Sequence, residues 1–396
     1  MNNGQFQNIQ FSKEELERYS RHLIIPEFNI EGQRKLKAAR VLVIGSGGLG
    51  SPALLYLAAA GVGNIGIVDF DKVDASNLQR QVLFSMEDVG RPKVEAAKER
   101  LLGLNPFINI TTYDTHLNSH NALDIFKDWD IVADGTDNFP TRYLINDACV
   151  LLGKVNVYAS IFRFDGQVTV FNYKYPNGEF GPNYRDLYPE PPPPDLVPSC
   201  AEGGVLGVLP GIIGSLQANE VIKIITGLGE PLVGRMYSLD ALSFETRIFK
   251  YRKNPGNPLT GSNPSLKGLI DYEQFCGIPK KEEEVKRGSQ GVKEVTARQL
   301  KEMMDRHEDF QLIDVREKYE YEIANLQGEL IPMNRILDSI DKISRNKKVV
   351  VHCRSGSRSA NVIKALEQKY GFENLYNLKG GILAWANEVD PSVPRY

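Results

Sequence analysis

Residues 41–71 read VLVIGSGGLGSPALLYLAAAGVGNIGIVDFD. An apolar run ends in a glycine turn, small and aliphatic residues continue at helical spacing, and a second apolar run closes on acid. That order is a βαβ unit, with the turn after the first strand opening a helix whose free amides favour negative charge. Gly45, Gly47, Gly48 and Gly50 let this backbone turn tightly and approach a phosphate. Asp69, ending the second strand, can accept hydrogen bonds from a ribose, as in NAD-dependent oxidoreductases, or cap the strand end.

Outward from this unit, strand-like runs recur at 129–138 (WDIVADGTDN) and 153–161 (GKVNVYASI), with a helix-patterned segment at 91–105. A mostly parallel sheet covered by helices is the expected α/β architecture. The stretch 188–200, YPEPPPPDLVPSC, is an extended loop, since repeated prolines remove donors and fix φ. Composition changes after 251–268, and the charge run PKKEEEVKRGSQG at 279–291 reads as solvated chain. The expected organisation is a first domain over 1–255, a linker over 256–290 and a smaller α/β domain over 291–396, which suits 396 residues. A net charge of -3 and a 42% hydrophobic share favour neither nucleic acid nor an anionic membrane as partner. The opening residues show no apolar signal core and no run is long enough to span a bilayer, so a cytoplasmic location is expected. Four cysteines without a C-x-x-C pair argue against a disulfide framework.

Asp71, Asn77, Arg80, Gln81 and Lys93 follow Asp69, and Asp137 lies in a further strand-end turn. Arginine and lysine near a phosphate loop stabilise a triphosphate, and an acid at a strand end can hold Mg²⁺; hydride transfer has no need of this set. The motifs RYSRHL, GSGGLGS, DFDxVxxSNLQRQ, GxPKVE and TDNFPTRY resemble those of the E1-like activating enzymes of sulfur-carrier proteins, the MoeB/ThiF adenylyltransferases, across roughly the first 250 residues. The resemblance implies a Rossmann-like domain in which Asp69, Arg80, Lys93 and Asp137 bind ATP and magnesium. It also implies a homodimer, with Arg21 reaching the other subunit's site; otherwise Arg21 is a surface charge. Many members hold zinc through four cysteines at positions matching Asn183, Asp186, Asn257 and Thr260, none of which is cysteine here. No zinc is expected, and packing is expected to hold those segments. His116 and His120, four apart, lack a third ligand and read as surface residues.

In VVVHCRSGSRS, residues 349–359, Cys353 follows a strand and opens a loop of small and basic residues. Amides opening a helix beside two arginines stabilise a thiolate. Cysteine phosphatases place an arginine six positions after the cysteine; here Arg358 lies five after, a shorter cradle suited to a single sulfur. LIDVREKYEYE, HCRSGSRS and LKGGILAW resemble the rhodanese domain, which implies a persulfide on Cys353 within a loop of Arg354, Ser355, Gly356, Ser357 and Arg358. The family's GHIxGA segment is altered to ANLQGEL. In the activating enzymes a cysteine matching Cys200 often forms a covalent link; a structural role is the alternative. Cys149 and Cys276 read as core and linker residues.

Together the two resemblances imply ATP-dependent adenylation of the C-terminal glycine of a ubiquitin-like carrier ending in Gly-Gly, then sulfur transfer from Cys353 to give a thiocarboxylate. The small subunit of molybdopterin synthase is the leading carrier, with thiamine and tRNA-thiolation carriers as alternatives. The sulfur donor would be a cysteine desulfurase or thiosulfate. Other readings are an NAD-dependent oxidoreductase, a non-catalytic carrier-binding scaffold, or an activating enzyme with a regulatory rhodanese domain.

Overall fold

The computed structural model describes residue 6 and residues 8–192, 203–277 and 292–396. The chain divides into two compact units, Met1–Ile278 and Pro279–Tyr396. No helix among the described residues is long and apolar enough to cross a membrane.

The first unit is built on an eight-stranded sheet in the order β3-β2-β1-β4-β5-β6-β7-β8. Its strands are β1 (Arg40–Ile44), β2 (Asn64–Asp69), β3 (Asn109–Asp114), β4 (Ile131–Asp134), β5 (Val155–Phe162), β6 (Asp165–Phe171), β7 (Arg235–Asp240) and β8 (Thr246–Lys250). The first five are parallel, and β6 to β8 extend the sheet antiparallel. Buried on both faces, β1 and β4 are nearly continuous apolar runs. The chain runs β1, β2, β3 to one side and then resumes at β4 on the other. A topological switch point, where α/β sheets bind ligands, therefore lies between β1 and β4.

Helix α1 (Gly50–Ala60) is apolar around its circumference and packs against α5 (Leu209–Thr226), whose Gln217 Nε2 donates to the carbonyls of Asp134 and Val157, each at 2.8 Å. Three further helices matter to the site: α2 (Lys93–Leu104), α3 (Phe139–Leu152) and α4 (Tyr184–Leu187). A side-chain carbon on Gly50 would fall 1.9 Å from the carbonyl oxygen of Gly45, so only glycine lets α1 start where it does.

Residues 257–277, expected in the linker, are packed into this unit. Tyr272 donates its hydroxyl to Asp147 at 2.8 Å, Ser119 Oγ bonds the Ile270 carbonyl at 2.6 Å, and Cys276 is buried beside the aromatic core rather than in a linker. Asn257 Nδ2 bonds Asp186 at 2.7 Å and Asn183 at 3.1 Å, while Asn183 Nδ2 donates to Thr260 Oγ1 at 2.9 Å. The four positions are thus drawn together, by a hydrogen-bonded clasp rather than by packing. Their partners lie far away in sequence, so local composition looks like loop. Beneath the clasp Arg185 pairs with Asp147 through two 2.8 Å bonds, both side chains fully buried.

The second unit carries an all-parallel five-stranded sheet, order β11-β10-β12-β13-β9. Its strands are β9 (Glu294–Val295), β10 (Phe310–Asp314), β11 (Glu329–Leu330), β12 (Lys348–His352) and β13 (Leu375–Leu378). Helices α6 (Lys318–Ile323), α7 (Ser357–Tyr370) and α8 (Gly381–Glu388) surround the end of β12.

Two substitutions test this account. Gly50→Ala should lower stability in urea by at least about 3 kcal/mol, because the obstruction is backbone. Arg185→Met should cost about 3–5 kcal/mol by leaving Asp147 charged and buried, and Arg185→Met with Asp147→Leu should recover most of it.

Candidate functional site

In the first unit the carboxylate of Asp69 does not stand open at the strand end. Its Oδ2 accepts from both the amide and the hydroxyl of Ser46 at 2.8 Å, and its Oδ1 accepts from the Asp71 amide at 3.0 Å. Asp69 thereby fixes the glycine loop and starts the segment that carries the remaining polar residues. Lys93, at the head of α2, is buried and bonds the half-exposed Asp71 at 2.9 Å. Gln81 is buried against Gly47, and the Arg80 side chain passes Gly48 while its Nη1 reaches the Ser76 carbonyl at 3.4 Å. Asn77 closes the short 3-10 turn Ala75–Asn77 just before them.

On the other side of the switch point, Gly135 packs backbone to backbone on Ile44, Gly45 and Gly50. Asp134 Oδ1 accepts from the amide of Thr136 at 3.0 Å and from its hydroxyl at 2.6 Å, and Arg142 holds the Thr136 carbonyl at 3.2 Å. The next residue, Asp137, is exposed and no hydrogen bond or ion pair holds its carboxylate among the described residues. Burial raises the carboxyl of Asp134 above its usual range, against the pull of Arg142. Ser46, Asp134, Thr136 and Arg142 were not singled out from sequence, although Thr136 and Arg142 lie inside the quoted motif TDNFPTRY. Arg21, on the short helix Ser20–Leu23, is exposed and makes no bond to these residues. Cys200 lies outside the described residues. His116 meets exposed Phe70 edge-on at 4.8 Å.

In the second unit Cys353 leaves β12 fully buried. The Gly356 amide donates to its Sγ at 3.1 Å and Ser359 Oγ lies 3.4 Å from it. Gly356, with φ +94°, lets α7 begin directly behind the sulfur and bring its positive end there. The first amides of α8 occupy the carbonyls on the loop's other side: Ile382 bonds Cys353 at 3.0 Å and Leu383 bonds Arg354 at 3.1 Å. Gly381 makes that approach possible, for a side chain there would strike both carbonyls. The Gly356 amide thus faces the sulfur while the carbonyls of Cys353 and Arg354 are taken up elsewhere.

The arginines have anchors that sequence reading did not assign. Arg358 is held bidentately by Glu320 at 2.6 and 2.7 Å. Burial opposes ionisation of Glu320, yet the Arg358 bonds hold its carboxyl below the usual range. Arg316 pairs with Asp314 through a 2.6 Å bond, both fully buried, and Arg354 bonds the backbone oxygen of Tyr396. Asp314, Arg316 and Glu320 all lie in LIDVREKYEYE, so the motif carried the signal; nothing flagged Tyr396.

His352 is completely buried beside Cys353, and burial pushes its pKa down to about 4 despite Asp314 nearby. The folded pKa lies below the unfolded one, so the unfolded chain takes up the proton first as pH falls. Stability of the second unit should decline by about 3 kcal/mol between about pH 6.5 and 4, at about 1.4 kcal/mol per pH unit. Glu320 adds a loss below about pH 4.5. Urea titrations of a Trp129→Phe chain, in which Trp385 reports the second unit, should show this slope, and His352→Gln should flatten its upper part.

The comparisons agree with this division. Residues 19–259 match the ThiF family and residues 296–388 the rhodanese-like domain. The chain is 48% identical over 388 residues to a probable adenylyltransferase/sulfurtransferase MoeZ of Mycobacterium tuberculosis, covering 97% of this chain and 96% of that protein. It is 52% identical over 270 residues to a sulfur carrier protein adenylyltransferase of Thermus thermophilus, 68% of this chain and 100% of that one. A crystal structure of E. coli MccB superposes with a TM-score of 0.55 at 24% identity, covering 66% of this chain and 76% of MccB, a likeness of fold alone. With a family match and a near full-length relative of this identity, the chain belongs to the ThiF family and carries a rhodanese-like domain behind its ThiF region.

Proposed function

We propose that this chain is an adenylyltransferase and sulfurtransferase acting on a ubiquitin-like sulfur-carrier protein with a Gly-Gly end. The observation that carries this reading is the pairing, in one chain, of a glycine loop braced by Asp69 with a buried thiol that accepts from the Gly356 amide at the head of a helix. The names of the relatives from M. tuberculosis and T. thermophilus support it. In the first step the carrier's terminal carboxylate attacks the α-phosphorus of ATP, and pyrophosphate leaves with the electron pair. Gly45, Gly47, Gly48 and Gly50 would cradle the phosphates, Asn77, Arg80, Gln81 and Lys93 would oppose the developing charge, and Asp69 and Asp71 would hold loop and lysine in place. Asp137 is the residue that would hold Mg²⁺, which when bound neutralises charge on the departing pyrophosphate.

The terminal sulfur of a Cys353 persulfide then attacks the acyl carbon and displaces AMP. A second thiolate, Cys200 in this reading, attacks the Cys353 sulfur; the S–S bond breaks and the thiocarboxylate leaves. The disulfide that remains is reopened by a thiol reductant. The small subunit of molybdopterin synthase is the carrier we favour, a cysteine desulfurase or thiosulfate the sulfur source, and the cytoplasm the setting. Arg21, exposed and without a bond to its own site, suits a homodimer in which it serves the second subunit.

We also propose that the protein works without zinc. The donors gathered at the clasp are two amides, a hydroxyl and one carboxylate, each already hydrogen-bonded to another of the four, which is not a zinc donor set. Chelation should leave the melting temperature unchanged, whereas Asn257→Ala should lower stability by about 2–3 kcal/mol. A melting temperature that falls with chelator and returns with zinc would reject the metal-free clasp.

For the reaction, Cys353→Ala should keep ATP–pyrophosphate exchange at the parent rate and abolish sulfur incorporation, read as the carrier's intact mass. Asp137→Ala should lower exchange at least about 100-fold. Loss of both activities in Cys353→Ala would count against separate centres.

A further inference from the structure

Three arginines gather around the Cys353 loop, and each has its own anchor. Arg316 is fixed by Asp314, Arg358 by Glu320, and Arg354 by Tyr396. Tyr396 touches two of the three: its hydroxyl accepts from Arg316, its backbone oxygen accepts from Arg354, and both guanidinium carbons lie 5.7 Å from its ring centroid. The face of an aromatic ring attracts a guanidinium, so Tyr396 adds to the hold on both.

The ring is half-buried against the cluster that includes Trp385 of α8 and Val350 of β12. It is thus seated on the same elements that shape the sulfur loop, since α8 holds the carbonyls of Cys353 and Arg354. Arg358 in turn feels the charges of Glu320, Cys353 and Tyr396.

We propose that Tyr396 is a positioning residue for sulfur loading, holding Arg354 of the loop in the direction that favours an anionic sulfur donor at Cys353. This rests on Cys353 being the sulfur handle. The loading step itself is balanced without further reagents: the thiolate attacks the outer sulfur of thiosulfate, the S–S bond of thiosulfate breaks, and sulfite leaves with the electron pair. Tyr396 makes no bond to the reacting atoms; its effect passes through the arginines.

The experiment uses the full chain with thiosulfate as donor and compares Tyr396→Phe, Tyr396→Leu and Tyr396→Ala. All three keep the backbone oxygen that accepts from Arg354; phenylalanine also keeps the ring, leucine keeps only apolar packing, and alanine keeps neither. Tyr396→Leu and Tyr396→Ala should raise the KM for thiosulfate on the order of 10-fold with a smaller change in kcat, and Tyr396→Phe should stay within about 3-fold of the parent. ATP–pyrophosphate exchange should be unchanged in all three, which shows that the first unit is intact. A Tyr396→Leu chain with the parent's KM overturns the proposal. Sulfur loading that persists in Cys353→Ala would instead overturn the assignment of Cys353 and leave Tyr396 without a thiol to serve.

Discussion

The closeness of two backbones governs the first centre. Helix α1 begins so near the end of β1 that Gly50 has no room for a side chain against the Gly45 oxygen, and Gly135 comes in from β4, where a side-chain carbon would meet backbone at 3.0 Å. Contacts of this kind cannot be adjusted by rotamers, so they set where α1, the glycine loop and the Asp134–Asn138 turn lie relative to one another. The polar residues are then placed by short tethers from this frame. Asp69 ties Ser46 to Asp71, Asp71 ties Lys93, and the Asp134–Thr136 pair presents Asp137. Charges are arranged in this way before any ligand arrives, which is where electrostatic catalysis gains most.

The second centre solves a different problem. A sulfur anion needs donors but would be buried among carbonyls if the loop were left to itself. Glycines at 356 and 381 let two helices begin beside the loop, one with the Gly356 amide donating to the sulfur and the other taking up carbonyls. The positive charge is then held rigid by partners rather than left free. Glu320 and Asp314 neutralise two arginines and fix their direction, while His352 stays uncharged just behind the thiol.

What was legible in the sequence is what local order encodes. Strand, glycine turn, helix and terminal acid in residues 41–71 specify the βαβ unit, and the loop from Cys353 to Arg358 announces its helix and its thiol. Interactions between distant segments were not legible. Asn257 meets Asn183 and Asp186 across 74 and 71 residues, so a stretch with the composition of a linker turned out to be buried. Arg354 and Arg358 were recognised as basic, but their anchors lie 42 and 38 residues away. The positions matching zinc ligands were found by resemblance, yet the idea that packing alone joins them was incomplete, since amide–carboxylate bonds hold the joint. Cys200 falls outside the described residues.

The clasp has a chemical consequence for a protein that handles sulfane sulfur. The outer sulfur of a persulfide passes to whichever thiolate can reach it, so every accessible cysteine is a leak. Building the joint from Asn183, Asp186, Asn257 and Thr260 leaves only four cysteines in the chain. Two of them, Cys149 and Cys276, are buried, and burial pushes both thiols up, that of Cys276 to about 11. They are poor acceptors at neutral pH. Among the described residues, the cysteines other than Cys353 therefore offer transferred sulfur a poor destination.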